Sequence, residues 1–143
     1  MIQASSSDIG RIESPERQID GPFISLEVPF EIARLLADRA YEEEGHAGRT
    51  LVKYPDLRVV LETMSAEARL RIHETAERMT VQVVYGALRV WLEHGDNYDL
   101  AEGAFAAIDA ARVHEIECLE ACAFLLTLAW PPAARAEANG SGI

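Results

Sequence analysis

Cysteine is scarce in this sequence. Only Cys118 and Cys122 occur, too few for a disulfide framework, and a chain of 143 residues does not need one. Cationic side chains are also in short supply, with 13 Lys plus Arg against 24 Asp plus Glu and a formal net charge of −11. A surface of that sign repels phosphate backbones and anionic headgroups, so neither nucleic acid nor membrane is an expected partner. Long apolar runs are missing too. The stretch from Ala121 to Trp130 is interrupted by Thr127, and nothing approaches the roughly 20 residues a spanning helix needs. The opening residues MIQASSSDIG combine neither a basic start nor an apolar centre and do not read as a secretory leader. The expectation is a soluble, cytoplasmic protein.

What remains is the balance of one ordinary folded domain, 49% apolar and 26% charged. Residues 1–20, with three consecutive serines and no periodic apolar pattern, read as a flexible N-terminal arm, and residues 131–143 as a flexible tail. The domain is expected over residues 21–130. Phe30 to Glu44 carries helical spacing in Ile32, Leu35, Leu36 and Ala40, with Pro29 suited to the N-terminal end and Gly45 to the stop. From Thr50 onward, short β-branched and aromatic runs alternate with turn residues, the texture of a β-sandwich or barrel.

The expected strands are Thr50 to Lys53, Leu57 to Thr63, Ala68 to His73, Met79 to Tyr85, Ala87 to His94, Tyr98 to Leu100, Ala104 to Ile108, Val113 to Cys118 and Ala123 to Trp130. Gly86, the segment His94 to Asn97, and Gly103 supply turns. Met64 to Arg78 is rich in helix formers, but a helix there would break the strand rhythm on both sides, so the context favours a strand.

The stretch from Glu67 to Cys118 resembles the paired signature of the cupins, small jelly-roll barrels. Their first motif runs from a glycine through two histidines and a glutamate to a second glycine, and their second from a glycine through a histidine to an asparagine. Glu67 stands at the opening glycine, His73 matches the first histidine, Thr75 replaces the second, Met79 replaces the glutamate, and Gly86 matches the closing glycine. In the second motif Gly103 and His114 match, whereas Asp109, Ala111 and Cys118 replace the proline, glycine and asparagine. The texture of Gln82 to Val90, Tyr98 to Gly103, Val113-His114 and Ala123 to Leu128 is similar to that of small single-domain bacterial cupins. The resemblance covers about residues 45–130. It implies an all-β fold, a cupin jelly-roll β-barrel with one N-terminal helix, and a homodimer; it does not choose an activity, because this barrel hosts many.

In a complete cupin, three imidazoles and a carboxylate hold a divalent metal with positions left open. Here the resemblance leaves only His73 and His114, and three readings stand side by side: a weak metal site, a metal-free polar anchor, or two inherited histidines bonded to the barrel wall. A thioether at Met79 does not suit a hard Fe(II) or Mn(II) centre, which favours an apolar pocket. Arg71 and Arg112 share strand parity with His73 and His114, so either is a candidate to bind a ligand carboxylate, with the barrel rim as the plainer alternative. Glu62 and Glu74 read as ordinary solvated carboxylates.

His114, Cys118 and Cys122 would align as zinc ligands on a helix, but Val113 to Cys118 alternates like a strand, so the cysteines are expected as small core residues. The expected function is therefore binding of a small molecule in the barrel cavity by Arg71, His73, Met79, Arg112 and His114, with no cofactor or a weakly bound divalent transition metal at His73 and His114. The alternative is a metal-dependent cupin isomerase, decarboxylase or oxygenase using those two histidines.

Overall fold

The computed structural model describes residues 19–72, 76–109 and 112–131. Most of the expected N-terminal arm and C-terminal tail, together with His73 to Thr75, therefore lies outside the described residues.

The expected single helix is two. Helix α1 spans Val28–Leu36 and α2 spans Arg39–Glu44. The break falls at Ala37 and Asp38, because the Asp38 carboxylate accepts a hydrogen bond from the Ala40 amide at 2.8 Å and so starts a new helix. Gly45, at φ +85°, closes α2 in the left-handed conformation.

Among the described residues seven strands follow: β1 (His46–Tyr54), β2 (Leu57–Met64), β3 (Arg69–Arg71), β4 (Arg78–Leu92), β5 (Asn97–Ala101), β6 (Phe105–Ile108) and β7 (Val113–Ala129). The order β1-β2-β7-β4-β5 is antiparallel throughout, with β3 added on β7 and β6 on β4. The described part of Met64 to Arg78 contains no helix, as the strand rhythm required.

β4 and β7 are each one long strand where the sequence suggested two. The first half of β4 pairs with β6 and the end of β7; its second half pairs with β5 and the start of β7. Register shifts between Val83 and Leu88 move the core-facing residues from Val81 and Val83 to Leu88 and Val90. The sheet thus folds over on itself and both halves of β4 face one core, the double-layered jelly roll. Gly86 makes the bend possible: its φ is +82°, and a Cβ there would lie 2.1 Å from the Ala121 carbonyl oxygen.

Two apolar clusters result. Between the layers lie Met64, Met79, Val81, Val83, Leu88, Val90, Ile116, Cys118, Cys122, Phe124 and Leu128. On the outer face of β1, β2 and β7, the helices bury Ile32 and Leu35 against Leu51, Leu61 and Ala123, each Ile or Leu side chain contributing roughly 2 kcal/mol. Arg49 on β1 holds the buried Glu31 of α1 at 3.2 Å, which orients the helix on the strand.

Candidate functional site

Directly opposed residues of antiparallel strands point to the same face. Phe124 belongs to the inner core, and its partner across β2 is Glu62, whose own partner on β1 is Gly48. Glu62 therefore faces the interior of the barrel, between Val60 and Met64 on its own strand. Its carboxylate lies flat over Gly48: a Cβ at Gly48 would come within 2.3 Å of the carboxylate oxygen. Protein surrounds this group on nearly every side, yet Glu62 keeps some accessible surface. Burial pushes its carboxyl up from 4.5 to about 7. Such a group exchanges its proton near neutral pH, a property suited to ligand binding or acid–base work. Farther along the same face of β2, the Arg58 guanidinium stands 5.8 Å from the centre of the Trp130 ring.

A recess of about 430 Å³ opens at the other edge of the barrel, between β4, β5 and β6. Val90, Leu92, Leu100, Ala106 and Ile108 line it, with Tyr98, Asp109 and Arg112 contributing polar groups. The Arg112 amide donates to the Asp109 carbonyl at 2.9 Å, and Asp109 lies 3.8 Å from Arg78.

The residues singled out from sequence are distributed unevenly over this framework. Arg112 is exposed and lines the recess. Met79 is buried in the core, 1% exposed. His114 is not enclosed in the barrel as strand parity suggested: it is exposed, because Trp91 pairs with Glu115 and Leu92 with Val113, leaving His114 as the extra residue of a bulge. Arg71 is also exposed, opposite Glu115 on β7. His73 lies outside the described residues. Met79 and His114 do not share one enclosed site, and among the described residues no group of three or more His, Cys, Asp or Glu gathers where it could hold a metal ion. Cys118 and Cys122 are free and buried, and burial pushes the Cys122 thiol well up.

Glu62 is the residue that sequence reasoning passed over. The signal was its alternation: Val60, Glu62 and Met64 share a parity on a strand whose other face packs Leu61 beneath the helices.

The solved structures that resemble this chain carry the same double-layered barrel. An RmlC-like cupin from Desulfovibrio desulfuricans superposes with a TM-score of 0.56 at 15% identity, covering 66% of this chain and 92% of its own. The chain has the cupin fold. A cupin superfamily protein from Desulfitobacterium hafniense is similar at a TM-score of 0.55 and 12% identity, covering 60% of this chain and 78% of its own. A conserved Streptococcus pyogenes protein of unknown function matches at 0.56 and 22% identity, over 66% of this chain and 85% of its own. No family model matches the sequence, and no curated protein matches it.

Gly103 has φ +86° and an open surrounding, so its turn requires the backbone conformation alone. Glu67 has φ +75°, the left-handed geometry that glycine adopts freely.

Proposed function

We propose that this cupin-fold chain binds a small molecule between its two layers, at the recess bounded by β4, β5 and β6. The observation that carries the reading is the recess itself: about 430 Å³, within the roughly 300–1,000 Å³ of small-ligand sites. Its walls suit an apolar body packed on Val90, Leu100 and Ile108, with one anionic group of the ligand held by the Arg112 guanidinium. A single cation on so acidic a chain admits one negative charge and disfavours polyanions.

The experiment is a fluorescence titration with 1-anilinonaphthalene-8-sulfonate, a flat apolar body bearing one anionic group. Saturable binding of one molecule per chain is expected, abolished by Ala106→Phe, which fills the recess, and weakened about tenfold by Arg112→Ala. Absence of binding, or binding unchanged in Ala106→Phe, overturns the reading.

A further inference from the structure

Glu62 is deep, keeps some accessible surface, and has no hydrogen-bonding or ionic partner among the described residues. A carboxylate in that position ordinarily finds a cation or a set of donors inside the protein. Gly48 leaves room for it: any larger residue would drive a side chain into the place the carboxylate occupies. The ring of Phe124 stands beside it on the same rung, and Val60 and Met64 flank it along β2. Gly48, Val60, Met64 and Phe124, the nearest positions on this face, are all apolar, and the net charge of −11 concentrates cations around the chain.

We propose that the inner face of β1 and β2 is a second ligand site, in which the Glu62 carboxylate, lying over Gly48 and beside Phe124, pairs with a flat organic cation such as an amidine. The planar N–H pair of an amidinium matches both carboxylate oxygens, and its apolar body lies along Val60, which keeps accessible surface beside Glu62. Among the described residues the charged and titratable groups on the same inner face are His46 and Lys53 on β1, Arg58 on β2, and Cys118 and Cys122 on β7; Leu70 of β3 and the following Ile72 bring apolar side chains to the core. Arg58 and Lys53 pair with each other's strand positions at the far end of the two strands, four residues from Glu62 along β2. The proposal is independent of the recess at β5 and β6, since no residue is shared.

The test uses the full chain and benzamidine, with benzamide as its neutral counterpart, followed by calorimetric titration. At pH 8 one benzamidine per chain is expected, with benzamide at least tenfold weaker. Glu62→Gln should abolish binding, and Gly48→Ala, which displaces the carboxylate, should weaken it at least tenfold. Affinity should fall about tenfold between pH 8 and pH 6 as the carboxyl takes up its proton. Arg112→Ala should leave benzamidine binding unchanged, which separates this site from the recess. No binding by the wild type, equal binding of benzamide, or retention of binding in a folded Glu62→Gln chain overturns the proposal; if that variant does not fold, undiminished binding by Gly48→Ala does so.

Discussion

Where β4 and β7 line the barrel, Phe124, Leu126, Leu128, Val81 and Val83 are each no more than 5% exposed. Where β1 and β2 line it, Arg58, Val60 and Glu62 all keep accessible surface, and the backbone at Gly48 is exposed. Both regions belong to one sheet and one register, so the difference comes from their neighbours. β7 is central, paired on both sides, and closes against the opposite layer through Leu88, Val90 and Ile116. Among the described residues β1 ends the strand order, and packing demands less of its inner face. A barrel built this way has a dry wall that holds it together and a relaxed wall on which a polar group can be kept.

Removing the largest side chain of the dry wall tests that division most severely. Phe124→Ala is expected to cost roughly 3–5 kcal/mol in chemical denaturation, whereas Val60→Ala on the relaxed wall costs about 1 kcal/mol. Equal losses would erase the distinction.

Next comes the carboxyl. Glu62 is protonated in the folded chain up to about pH 7 and in the unfolded chain only to about 4.5, so between those values the folded state binds the extra proton. Its favourable contribution is complete below about 4.5 and is lost as pH rises to about 7. Relative to Glu62→Gln, the wild type should lose roughly 2 kcal/mol across that interval, allowing for the solvent that still reaches the group. Parallel stability curves for the two proteins would place Glu62 in ordinary water.

A smaller gain is expected at Glu67, whose φ of +75° disfavours any side chain. Glu67→Gly should raise stability by about 1 kcal/mol, measured by urea unfolding, and a loss would mean that the Glu67 side chain makes a compensating contact. The smallest effect belongs to His114. Its exposure predicts a Tm within about 2 °C of wild type for His114→Ala, with the metal content of the purified protein unaltered; loss of a stoichiometric metal in that variant would restore an imidazole-centred site.

The jelly roll was legible because turn residues punctuate it at regular intervals, and Gly86, Gly95 and Gly103 all adopt positive φ where the turns were expected. Gly86 also misled, since a residue that bends a strand and one that ends it look alike in sequence; only the ladder from β4 to β7 shows the strand continuing. His114 was misplaced for a related reason. Strand parity carries a side chain to a predictable face until a bulge adds a residue, and the bulge opposite Trp91 and Leu92 has no turn residue to announce it. Glu62 was set aside because most strand carboxylates are solvated, although the apolar Val60 and Met64 on either side already placed it on the buried face. Arg112 lines a recess, while Arg71 stands exposed across from Glu115.

The state of the Glu62 carboxyl is the most direct test of the division between a dry wall and a relaxed one that retains a polar group. A carbon-13 NMR pH titration of the glutamate carboxyls, with Glu62→Gln supplying the assignment, should show one resonance titrating with a midpoint of about 7. A midpoint near the ordinary 4.5 would put Glu62 in bulk solvent and contradict the account.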